Sequence, residues 1–150
     1  TGATGAVGPT GAAGVLSSAY CFAYMTGDFS ANPGDVIPYY NDPSQTVSPY
    51  GITNNNGSFY ISSSGVYAIS VHFVYSPSVG TSVGLYNTGS LIQGTDVLVQ
   101  DFSGTGTAIV SLSSGSTLSV RPVNELLTVT DGGIDSTTSQ ISIVKIAELP

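Results

Sequence analysis

Tryptophan is missing from these 150 residues, and histidine, cysteine and methionine occur once each. A single cysteine excludes an intrachain disulfide framework, so burial and hydrogen bonding alone must hold the fold. With His72 the only imidazole and Cys21 the only thiol, a nucleophile-base pair would need two residues distant in sequence to meet. Cys21 lies in an apolar run, where a lone cysteine reads more simply as a small buried hydrophobe. The serines supply no Gly-x-Ser-x-Gly elbow. These absences predict no catalytic constellation and no cofactor.

Positive charge is almost as scarce. Arg121 and Lys145 are the only basic residues against nine acidic ones, giving a formal charge of −7. Phosphate neutralisation takes clusters of Lys and Arg, so nucleic acid and anionic membrane surfaces are excluded as partners. With only 7% of residues charged, the surface must be built from Ser, Thr, Asn and Gly, and trypsin-like proteases find almost nothing to cut. No apolar run approaches the roughly 18 residues of a membrane span, and the sequence starts inside the repeat with no signal-peptide pattern ahead of it, which leaves an N-terminal targeting segment open.

What is present begins at the N-terminus. Glycine stands at every third position from Gly2 to Gly14, and the pattern stops at Val15-Leu16-Ser17. That period belongs to the collagen triple helix, whose crowded axis admits only glycine, and it predicts that three chains meet. A flexible linker would not need the strict register. At about 3.1 Å per residue the segment would span some 43 Å, and, beginning in mid-pattern at Thr1, it reads as the stub of a longer stalk. Residues 1–14 form this collagen-like stub, and residues 15–150, the usual size of one domain, form the head that clamps it.

Behind the stub, short β-segments alternate with Gly, Asn, Asp and Ser clusters, and helical periodicity never lasts beyond a turn or two. The head is all-β. The pattern predicts strands at Ser18 to Met25, Val36 to Tyr40, Ser48 to Ile52, Ser58 to Ile61, Gly65 to Tyr75 and Thr81 to Tyr86. Further strands are predicted at Val97 to Phe102, Thr107 to Leu112, Thr117 to Val123, Leu126 to Val129 and Gln140 to Leu149. Asn54-Asn55-Asn56-Gly57 fits a tight hairpin turn, because Asn and Gly tolerate positive φ.

Two kinds of strand can be told apart. In Thr107 to Leu112, and again in Thr117 to Val123, apolar and polar residues alternate, as in a strand with one wet face. In Ser18 to Met25, by contrast, Tyr20, Phe22 and Tyr24 oppose Ala19, Cys21, Ala23 and Met25, and later Ile141 and Ile143 oppose Val144 and Ile146. Strands apolar on both faces need two covers. An opposing sheet supplies one and a subunit interface supplies the other.

The segment from Phe59 to Phe73, with Gly65, Tyr67 and the alternation that follows, resembles the most recognisable motif of the globular heads of the first complement component and their tumour-necrosis-factor-like relatives. Ile69 and Val71 stand where those proteins usually carry aromatics. The stretch from Ala108 to Pro122 resembles a later strand-turn-strand unit of the same family, with Ser116 where an acidic residue is common. A collagen-like segment ahead of such a head, threonines in the repeat, and the ending SQISIVKIAELP look most like the collagen-like glycoproteins of the exosporium, the outer layer of bacterial spores (BclA-type). The resemblance implies a homotrimer of ten-stranded, two-sheet antiparallel jelly rolls, TNF-like, serving as a C-terminal trimerisation and display head on an extracellular surface filament. It also implies sugars on stalk threonines, for which Thr4 and Thr10 fill the third position of their triplets. A rival reading keeps the trimer and makes it a recognition head for a host surface protein or glycan, or the tip of a phage or viral fibre.

Three smaller features complete the reading. Asp131 and Asp135 flank Gly132-Gly133-Ile134, a Gly-rich loop with oxygen ligands suited to a hard cation, although its spacing is not that of a helix-loop calcium motif and a solvated turn explains it as well. Asn56-Gly57-Ser58 matches an N-glycosylation pattern and reads as a turn. If Tyr67, Ile69, Val71 and Phe73 point into the sandwich, alternation sends Val66, Ser70, His72 and Val74 to the opposite face, making His72 a candidate residue of the trimer face. Imidazoles gathered there would make assembly pH-sensitive; a hydrogen-bonded structural histidine is the plainer alternative.

Overall fold

The structure, a computed structural model, describes residues 19–41, 50–74, 81–99, 103–130 and 137–149. Among them the chain forms twelve strands: β1 Tyr20–Thr26, β2 Phe29–Ala31, β3 Ile52–Asn55, β4 Ser58–Ile61, β5 Gly65–Val74, β6 Thr81–Asn87, β7 Ser90–Leu91, β8 Val97–Val99, β9 Ser103–Leu112, β10 Thr117–Pro122, β11 Leu127–Val129 and β12 Thr137–Ala147. The stub with Thr4 and Thr10, and the loop of Asp131 and Asp135, lie outside the described residues.

All pairings are antiparallel. A four-stranded sheet runs β1-β12-β5-β9; a larger one runs β3-β4-β10-β6-β7 with β8 also on β6, and β2 pairs β11. The two principal sheets pack as a sandwich because each contributes one apolar face. From the four-stranded sheet come Ala19, Cys21, Ala23, Met25, Tyr67, Ile69, Val71, Phe73, Ile141 and Ile143, and from the other Ile52, Phe59, Ile61, Val83, Leu85, Leu118 and Val120. Alternation on β5 is as the sequence required: Tyr67, Ile69, Val71 and Phe73 are buried, and Val66, Ser70 and His72 face out.

Three expectations need correction. Val36 to Tyr40 is not a strand. Pro38 has no N–H to give a ladder, and the segment instead crosses between sheets: Ile37 N donates to Val120 O (3.0 Å) and Tyr40 N donates to Tyr24 O (2.8 Å). Ile37 and Tyr39 are both fully buried on the way. β9 starts at Ser103, four residues before the expected Thr107, because Gly104 and Gly106 lower strand propensity yet lie opposite Phe73 and Val71, whose bulk occupies the space. The short β2 and β7 carry too few residues for a period to show, and the described residues form twelve strands where the resemblance implied ten.

Tyr39 links the layers: its hydroxyl lies 2.7 Å from Ser139 Oγ, which donates to His72 O at 3.1 Å. Burial pushes this phenol far above the ordinary tyrosine range, with the Ser139 bond opposing more weakly. A raised folded pKa contributes stability that is complete below the unfolded value of about 10 and is lost as pH rises above it. Urea melts should therefore lose stability most steeply above about pH 10, beyond the smaller fall that the buried Cys21 thiol begins near pH 9, and Tyr39→Phe should flatten the part above pH 10. An unchanged slope in the variant would remove Tyr39 as its cause.

Candidate interface on the four-stranded sheet

The outer face of the four-stranded sheet is built row by row from the strand register. Tyr20 pairs Val144, Val144 pairs Ala68, and Ala68 pairs Ile109. Tyr50 adds to the far side of β1 through an isolated bridge to Tyr20, with Tyr20 N donating to Tyr50 O at 2.8 Å and the two rings 6.4 Å apart. The result is one row, Tyr50, Tyr20, Val144, Ala68, Ile109, with no polar side chain except the tyrosine hydroxyls. Much of it is open: Tyr50 is 61% exposed, Val144 44% and Ile109 68%, and Ile146 nearby is 51% exposed.

The next row is Phe22, Ser142, Ser70 and Thr107, with Ser70 Oγ 3.2 Å from Thr107 Oγ1. Beyond it lies a row of mixed chemistry: Tyr40, Tyr24, Gln140, His72 and Thr105. His72 Nδ1 sits 2.6 Å from Thr105 Oγ1. The face is thus apolar at one end and hydrogen-bonding at the other.

His72 lies on the outer face, as alternation demanded, and Cys21 lies on the inner one. One sheet separates the only thiol from the only imidazole, so they cannot form a catalytic pair. Cys21 is buried, which raises its thiol pKa, the Asn41 amide opposing. Among the described residues no group of three His, Cys, Asp or Glu side chains could hold a metal, and no helix is long and apolar enough to cross a membrane.

Sequence reasoning missed three members of the face. Tyr40 and Tyr50 belong to segments that join β1 by single bridges, invisible to periodicity. Ile109 stands on the face of β9 that the alternation with Thr107 and Ser111 makes wet; an isoleucine on a wet face was the available signal. It also missed Lys145. On the inner side of β12 its ammonium is buried and bonds Glu148 Oε2 (2.7 Å) and Ser63 Oγ (3.2 Å). The other basic residue, Arg121, lies outside the other sheet, over the Tyr86 ring at 5.3 Å, with Nε donating to Ser119 Oγ and Nη1 to Gly34 O. It precedes Pro122, so neither basic residue offers a protease an accessible, cleavable bond.

Two antiparallel sheets in this strand order define a jelly roll of the tumour-necrosis-factor and complement-head type. Solved structures bear this out. The Eiger TNF of S. frugiperda superposes with a TM-score of 0.65 at 19% identity, over 89% of this chain and 96% of that one. The globular domain of zebrafish complement 1qA gives 0.61 at 12% identity, over 88% of this chain and all of the other. No protein-family model matches the chain, and no curated protein matches it by sequence.

Proposed function

We propose that the chain is the trimerisation and display head of a collagen-like filament protein on an extracellular surface, and that the filament belongs to the bacterial exosporium. The observation that carries the reading is the pairing of a Gly-X-Y register, which works only with three chains, with a head whose four-stranded sheet exposes an apolar outer row. The head assembles as a homotrimer through that face, with His72 on it. The neighbours by fold are a TNF and a complement head. Residues 1–14 are the stalk segment, and Thr4 and Thr10 are its sites for sugar.

A second reading, a recognition head for a protein or glycan, draws on the opposite sheet. There Tyr60 is 47% exposed and the Arg121 guanidinium lies over Tyr86. Aromatic faces beside a fixed guanidinium suit contact with a partner surface. The two readings share the trimer.

Sedimentation of the full chain at micromolar concentration tests it, and a trimer is expected. A stable monomer would end the assembly reading, and with it the proposed place on a filament.

A further inference from the structure

The apolar row lies at the end of the sheet where the Gly-X-Y segment joins. β1 enters the row at its first residue, Tyr20, and β12 crosses it at Val144 before ending at Ala147. Lys145 N donates to Ala19 O at 2.8 Å, so the residue that leads into β1 and the last residues of β12 lie together at this end of the sheet. Whatever path residues 15–18 take, the five steps from Gly14 to Ala19 reach at most about 18 Å. Three chains meeting at Gly14 therefore bring three copies of the apolar row close to one axis. The row holding His72 and Thr105 is four residues further along β1, at about 3.3 Å per residue some 13 Å more distant.

A closed ring of three identical chains needs a heterologous contact, in which two different patches of each copy meet. The row supplies two. One end is aliphatic: Ile109 on β9, a strand at the sheet edge that among the described residues pairs with β5 alone and has β8 close by. A ten-residue edge strand carrying an exposed isoleucine is an unprotected edge unless something covers it. The other end is aromatic: Tyr20 and Tyr50, flanked by Val144.

We propose that Ile109 of one copy docks on Tyr20, Tyr50 and Val144 of the next, three times around the ring, and that this stalk-end contact, not the polar row of His72, sets the affinity of the trimer. The proposal rests on the trimeric reading above and adds the contact that makes it. Apolar contacts desolvated between anchors carry most of an interface's energy, whereas hydroxyls and amides exchange one set of hydrogen bonds for another.

The test places the same charge at two positions of one strand. Ile109→Asp and Thr105→Asp are both on the exposed outer face of β9, four residues apart, so both heads should fold, as circular dichroism would verify. In the full chain, Ile109→Asp should raise the trimer dissociation constant on the order of 100-fold and Thr105→Asp less than about 10-fold. Ile109→Thr, which keeps a β-branched side chain, should fall between. Tyr50→Lys added to Ile109→Asp should recover part of the loss by pairing across the contact. A wild-type monomer would sink the trimer itself. A wild-type trimer weakened equally by both Asp variants, or more by Thr105→Asp, or showing no coupling between positions 50 and 109, would leave the trimer standing and overturn this contact.

Discussion

A longer Gly-X-Y repeat fused to this head should melt reversibly and refold at a rate independent of chain concentration, while the same repeat without residues 15–150 should refold slowly and ever more slowly on dilution. The reason is molecularity. A free triple helix must collect three chains from solution, whereas a trimeric head holds them at an effective concentration in the millimolar range. At about 1 μM chain that is a gain of roughly 1,000-fold in local concentration for each chain recruited. Five triplets carrying Pro9 alone have neither the length nor the stiffness to nucleate by themselves, so a triple helix formed by them would have to draw on the head. Circular dichroism of matched chains decides the matter. Equal melting temperatures and equal refolding rates would make the head a passenger on the stalk.

Gly57→Ala should sharply lower the head's thermal stability although it adds one methyl group in a turn. Asn56 and Gly57 form the β3–β4 turn with φ of 53° and 88°. A Cβ on Gly57 would fall far inside van der Waals contact with Ile37 O and 3.1 Å from Tyr39 N, so the crossing segment would have to move. That segment carries two fully buried side chains and is tied to the same turn by Asn54, whose Nδ2 donates to Tyr39 O at 2.8 Å and whose Oδ1 accepts from Gly57 N at 2.9 Å. Backbone strain and displaced core together should cost about 3 kcal/mol or more, a fall of about 10 °C in melting temperature. Asn56→Ala, at a φ of the same sign where a Cβ is already accommodated, should cost about 1 kcal/mol. If the two variants melt within about 3 °C of each other, the crossing segment yields freely and the turn is not its anchor.

The turn shows how sequence and structure divide the information. Asn54 to Gly57 is legible as a hairpin because positive φ is a local property of Asn and Gly. That the same glycine must also be bare because another segment's carbonyl lies against it is not local. Residues 37 to 39 arrive there from 18 positions upstream, and Pro38 hides their path by removing the ladder on which a periodic pattern depends.

Local chemistry by itself determined that the described fold is all-β, that Gly2 to Gly14 carry the glycine register of a collagen-like repeat, and that β1 and β12 are apolar on both faces, because side-chain alternation and glycine spacing are written in consecutive residues. It also determined that Tyr67, Ile69, Val71 and Phe73 point inward and His72 outward. Only the tertiary structure decided which outward residues share a row. Tyr50, Tyr20, Val144, Ala68 and Ile109 come from five segments, and their alignment depends on register, which a shift of one residue would invert. Likewise only the packed sandwich decided that Lys145 is buried and bonded to Ser63, a residue far away in sequence, although its ion-pair partner Glu148 is only three positions on.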